Sequence, residues 1–157
     1  MRMVDVGGKE KTERIAVAVA RVRMQPATLA KIRANKVEKG DVIAAARLAG
    51  VMAAKRTPDL VPLCHPIALS SVEVDVKPMT VGVEIRATVK TVDRTGVEME
   101  ALTSVSAAAL TVYDMLKSSD RGMVIEHVML EHKSGGRSGT WTRRDEGQAK
   151  LEKKRRA

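Results

Sequence analysis

The sequence contains no phenylalanine, one tyrosine (Tyr113), one tryptophan (Trp141) and one cysteine (Cys64). Without aromatic side chains the core has to be aliphatic, built from the Val, Ala, Leu, Ile and Met that make up most of the 44% hydrophobic content. A sheet that stacks nucleic-acid bases on aromatic rings is excluded by the same scarcity. One cysteine permits no internal disulfide, which suits a reducing compartment. No run of about 18 uninterrupted apolar residues is present, and residues 1–14 carry charges throughout, unlike a secretory leader. The expectation is a soluble, cytoplasmic protein with no membrane contact.

At 157 residues the chain suits one domain with its own core. That domain is expected over residues 1–142, with a basic tail over 143–157. The formal charge of +9 divides unevenly, because the tail "RRDEGQAKLEKKRRA" holds +4 of it. Such a tail is expected to be a solvated, mobile end. The remaining excess lies in the body beside the motifs below, where it suits an anionic small ligand as well as RNA.

Periodicity supplies the elements. "ERIAVAVARVRM" (13–24) alternates as a strand. Pro26 opens a short helix, Gly40 breaks the chain, and Asp41 is placed to cap a long helix through "DVIAAARLAGVMAAKRT", which ends in Lys55 and Arg56 with Pro58 as its stop. "ALSSVEVDVKP" and "VGVEIRATVKTVDR" read as a hairpin or meander, "TGVEMEALTSVSAAALTVYDMLKSS" as a second long helix, and "MVIEHVMLEHKS" as a last strand. The order strand, helix, strand, strand, helix, strand predicts an α+β, ferredoxin-like βαββαβ fold: an antiparallel sheet with both long helices on one face, plus a short extra helix. The other face is expected to be rich in Val and Ala and to pack against another subunit.

Four stretches carry candidate chemistry. "LVPLCHP" (60–66) holds Cys64 and His65 between prolines, shortly after Lys55 and Arg56. This prearranges an imidazole and cations as acid–base work requires, although an isolated His of this kind is more often satisfied by backbone. A Cys–His nucleophile pair is disfavoured because adjacent side chains on extended backbone point apart, and a single Cys with three dispersed His supplies no zinc spacing. "GVEMEAL" sets Glu98 and Glu100 in a first helical turn, where acids complement the dipole. "YDMLK" sets Asp114 and Lys117 on one face at the far end, where an acid is unfavourable. "KSGGRSG" (133–139) places glycines beside Lys133 and Arg137, suited to a phosphate, but it is not a Walker motif.

In this fold the two long helices run antiparallel. Lys39 is therefore expected near Asp114 and Lys117, while Lys55, Arg56 and His65 fall near Glu98 and Glu100. The two clusters are about 21 Å apart along a helix rising about 1.5 Å per residue. If they form one site, two subunits must build it.

Together, "MVDV" with Lys9, Thr12 and Arg14, then "KGDV", "AAKRTPDLVPLCHP", "TGVEMEALT", "YDMLK" and "KSGGRSG" resemble the molybdenum cofactor biosynthesis protein C family, the cyclic pyranopterin monophosphate synthases. The resemblance spans residues 3 to about 142 and implies a ferredoxin-like lyase assembled as a hexamer of three dimers. Its substrate would be 3′,8-cyclo-7,8-dihydroguanosine triphosphate, derived from GTP, and its products cyclic pyranopterin monophosphate and pyrophosphate. Carried over residue by residue, it implies catalytic roles for Asp114, Lys117 and Lys39. It implies substrate binding by Leu63, Cys64, His65, Glu98, Met99, Glu100, Lys55, Arg14 and Lys133. No metal ligand or required cofactor is implied, although Mg²⁺ accompanying the triphosphate stays open. Gly7 stands where a Ser is usual, and Arg137 replaces a common Lys. Two other classes remain beside it: a ferredoxin-like RNA-binding module, set back by the missing aromatics, and a non-catalytic assembly subunit.

Overall fold

A computed structural model describes residues 1–143; the tail from residue 144 onward lies outside the described residues. The elements follow the order β1 (Thr12–Arg23), α1 (Pro26–Arg33), α2 (Val42–Ala54), α3 (Thr57–Leu60), β2 (Ser71–Met79), β3 (Gly82–Asp93), α4 (Glu98–Leu116), β4 (Val124–Ser134) and β5 (Trp141–Thr142). The strands form one antiparallel sheet in the order β2-β3-β1-β4-β5. Its first four strands, with α2 and α4, are the α+β ferredoxin-like arrangement expected from the pattern.

Alternation decides the faces. Ala16, Ala18, Ala20 and Val22 of β1 and Val83, Ile85, Ala87 and Val89 of β3 point to one side and are buried beneath the helices. Small residues let α2 and α4 settle close to each other and to the sheet: a Cβ on Gly50 would lie 3.0 Å from Ser104 Oγ and 3.1 Å from Val74 Cγ2. Asp41 caps α2, its Oδ1 accepting from the Ala44 amide at 2.9 Å. The helix ends at Ala54, and Pro58 opens the short α3 instead of serving as the stop itself.

The opposite face of the sheet is more polar than expected. The period of two commits Val72, Val74 and Val76 of β2 and Val83 and Val89 of β3 to the helix side, so the open side presents Glu73, Asp75 and Lys77 against Thr88, Arg86 and Glu84. Arg21 pairs with Glu84 at 2.9 Å and Arg86 forms a two-pronged pair with Glu131. The apolar residues of the face are Ile15, Val17, Val19 and Met129 in its middle and Val92 near the end of β3.

The strand β4 is irregular against β1, with register shifts that leave Glu131 and the segment at His127 and Val128 as bulges. His127 takes a left-handed backbone, φ 59°. Counting from Leu130, which faces Ala18, strict alternation would turn Lys133 to the open face. The extra residue Glu131 brings it instead opposite Ala16, on the helix side. The two-residue β5, which no periodicity announced, pairs with β4 at His132 and Lys133, and the Arg143 amide donates to the Glu131 carbonyl at 2.8 Å.

Candidate active site

Lys133, turned inward by the bulge, meets Glu98 at the start of α4 with Nζ 2.7 Å from Oε1. This ion pair, about three-quarters buried on both sides, borders a cavity of about 700 Å³ at the sheet end where β1 begins and β3 and β4 finish. Five cationic residues line it: Lys9, Arg14, Arg94, Lys133 and Arg137. The loop after β4 closes the wall. Gly136 has φ 72°, and a Cβ there would collide with the Arg14 guanidinium, so the loop's backbone can lie against that guanidinium only with glycine present. Arg14 Nη2 donates to the Arg94 carbonyl at 3.2 Å, and Arg94 Nε to the Lys9 carbonyl at 3.2 Å. Arg14 Nε and Thr12 Oγ1, by contrast, are buried with no hydrogen-bond partner among the described residues. A cavity with this cationic excess suits a multiply charged anion.

A second cavity of about 520 Å³ adjoins it, sharing Lys9, Thr95, Gly96 and Glu98. Its walls are more apolar: Leu63, Cys64, His65 and Ile67 from the corner after α3, Met99 from α4, and Val4 and Val6 from the N-terminal segment. A turn bond from the Cys64 amide to the Val61 carbonyl, 3.0 Å, shapes the corner. Behind it sits Glu100, 2% exposed. The Cys64 thiol donates to Glu100 Oε1 at 3.6 Å, while Oε2 is buried and partnerless. Burial raises the Glu100 carboxyl above its usual range, with nearby Glu98 adding to the shift. The Cys64 thiol is pushed up to about 11 by burial and then by Glu100, so it stays protonated and is a poor nucleophile.

The other candidates lie at the far end of α4. Asp114 Oδ2 accepts from Lys39 Nζ at 2.7 Å and Oδ1 from Lys117 Nζ at 2.7 Å. These bonds, Lys117 first, hold the Asp114 carboxyl down at about 2, and Lys117 is raised in return. All three side chains are about half exposed.

The family model for the MoaC family matches residues 3–136. The chain belongs to the MoaC family. Three curated proteins, each named cyclic pyranopterin monophosphate synthase, show how near it stands to other members. The protein from Thermomicrobium roseum is 59% identical over 92% of this chain and 89% of its own length. That from Roseiflexus sp. is 60% identical over 88% and 89%. That from Streptomyces coelicolor is 58% identical over 90% and 84%. Like these named synthases, the MoaC family chain described here is an enzyme.

The residues singled out by sequence thus fall into two groups. Leu63, Cys64, His65, Met99, Glu98, Glu100, Arg14 and Lys133 gather around the two adjoining cavities. Lys39, Asp114 and Lys117 gather at the other end of α4. Lys55 joins neither: it is the exposed C-cap of α2 and lines neither cavity. Lys9 and Thr12 belong to the sequence motifs but carry no role there, and Arg94 belongs to none of the candidate stretches; its signal is its place just after β3, two residues before Gly96 and the start of α4.

Proposed function

We propose that the protein is a cyclic pyranopterin monophosphate synthase of molybdenum cofactor biosynthesis. As a lyase it would convert 3′,8-cyclo-7,8-dihydroguanosine triphosphate to cyclic pyranopterin monophosphate and pyrophosphate. Identity near 60% across most of the chain supports the activity. The observation that carries the site assignment is the cavity lined by five cationic residues, Lys9, Arg14, Arg94, Lys133 and Arg137. The triphosphate occupies that cavity, where fixed cations stabilise charge on the departing pyrophosphate. Phosphate oxygens displace Glu98 from Lys133. The cyclised purine lies in the adjoining cavity against Leu63, His65 and Met99.

Asp114, Lys117 and Lys39 supply the acid–base chemistry from a second subunit. α4 runs unbroken through Glu98–Leu116, so Glu100 and Asp114 of one chain are about 21 Å apart along it. Antiparallel pairing of two α4 helices about a two-fold axis near Ala107 places Asp114 of each copy beside Glu100 of the other. The outer faces of the helices favour such a contact: Leu48 and Leu110 are 65% and 62% exposed, and Ser106 and Thr111 turn their hydroxyls back onto helix carbonyls. The dimers assemble into a hexamer of three. Lys55, exposed in one chain, joins the site only through that assembly.

In this reading no resident cofactor takes part, and Mg²⁺ would come to the site carried by the triphosphate. A cytoplasmic location fits a nucleotide-derived substrate and a lone free thiol. Among the described residues no helix is long and apolar enough to cross a membrane. The RNA-binding alternative loses support from the sheet itself, since β1 to β4 carry no Phe, Tyr or Trp and the open face is laced with ion pairs. The deciding experiment gives the purified protein the cyclised nucleotide and follows pyrophosphate and pterin. Formation of both in equal amounts is expected, and absence of both would overturn the assignment.

A further inference from the structure

The single cysteine occupies a position that neither a nucleophile nor a simple wall residue requires. Cys64 lines the apolar cavity, and Glu100, directly behind it, does not. Among the described residues the thiol is the one side chain that hydrogen-bonds the buried carboxyl, 3.6 Å to Oε1, with the His65 carbonyl a longer alternative acceptor at 3.8 Å. Glu100 Oε2 has no partner although the side chain is almost fully enclosed. A carboxyl in such a place is stable only if its remaining oxygen carries a proton or meets a ligand.

We propose that Cys64 is a positioning residue: its thiol donates to Glu100 Oε1, fixes the carboxyl at the back of the substrate cavity, and leaves Oε2 as the oxygen that carries the proton. The inference deepens the synthase assignment and rests on it for its catalytic meaning. Cys64 acts through Glu100 and not by bonding to substrate. The other charged group facing the carboxyl is Glu98 of the same helix, already engaged by Lys133 of β4. The thiol bond favours the ionised carboxyl and therefore opposes the upward pull of burial. Removing it raises the Glu100 pKa further, so activity that depends on protonated Glu100 persists to higher pH.

Infrared spectroscopy tests the contact without substrate. With one cysteine in the chain there is one S–H stretching band. In the wild type that band should move as Glu100 titrates, and in Glu100→Gln it should become independent of pH. The protonated carboxyl band of Glu100 should titrate at higher pH in Cys64→Ala and return towards the wild-type midpoint in Cys64→Ser. In turnover, Cys64→Ala should lower kcat about threefold to tenfold, the size of one hydrogen bond, with KM nearly unchanged, and Cys64→Ser should recover most of the loss. An S–H band indifferent to pH in a wild type that makes pterin would overturn the positioning role and leave the synthase assignment standing. A rise in KM shared by both Cys64 variants would do the same. The infrared responses without pterin formation would uphold the contact and overturn the assignment.

Discussion

Glu100 and Asp114 are carboxylates of one helix, about four turns apart, and their surroundings drive them in opposite directions. The helix dipole alone would ease ionisation of Glu100 in the first turn and hinder that of Asp114 in the last. The reverse occurs. Glu100 is raised because burial removes the water that would solvate its charge, and Asp114 is held at about 2 because two lysines donate to it in the open. Desolvation and direct hydrogen bonds outweigh the dipole at both ends. The helix thereby presents one carboxyl that holds its proton more tightly than usual and one that releases it more readily, the separation from which acid–base pairs are assigned.

The comparison is broken most severely at its exposed end. Asp114→Asn keeps the shape of the side chain but removes the carboxylate between Lys39 and Lys117. Turnover should fall about a hundredfold or more, the usual scale of general acid–base catalysis, with circular dichroism and oligomer size unchanged. Near-normal pterin formation would remove Asp114 from the mechanism.

Gly136→Ala acts on the anion cavity next to the other end. The new methyl meets the Arg14 guanidinium from a backbone already at φ 72°. Strain of about 1–2 kcal/mol per left-handed residue corresponds to roughly a tenfold effect or somewhat more. It should show as a rise in KM for the triphosphate, with kcat nearly unchanged, in steady-state kinetics. A variant with wild-type KM would show that the loop does not hold the phosphates.

Stability against pH gives the smallest effect and the sharpest contrast. Glu100 binds its proton more tightly when folded, so its contribution is present below the usual 4.5 and is lost as pH rises through the folded value. Glu100→Gln should therefore gain in Tm relative to wild type as pH rises above about 4.5. Asp114 has the opposite sign. Its contribution is present above 3.8 and is lost as pH falls towards about 2, a small change because the group is exposed and screened. In Asp114→Asn that acid-side loss should disappear. Parallel Tm profiles for the two variants would contradict the opposed environments.

Much of this was legible before any coordinates. The Asp41 cap, the strand and helix order, and the meeting of Lys39 with Asp114 follow from capping chemistry and from the antiparallel helices that this order requires. The placement of Lys133 was not legible for the right reason, since it depends on the Glu131 bulge, and an inserted residue leaves no mark in a run such as "MVIEHVMLEHKS". Lys55 was expected beside Glu100 because it is near the corner in sequence, but it caps α2 and lines neither cavity. Arg94 went unnoticed because a lone arginine at a strand end looks like any solvated charge. The polar open face was misjudged by counting valines without assigning each to a side.

The joint use of both ends of α4 is tested most directly by mixing two inactive proteins. Asp114→Asn and His65→Ala alter opposite groups of residues, so in a mixed dimer one site would carry both lesions and the other neither. After verified subunit exchange, activity should recover to about a quarter of wild type, since about half of randomly paired dimers are mixed and each holds one intact site. No recovery in verified mixed dimers would contradict a site shared between subunits.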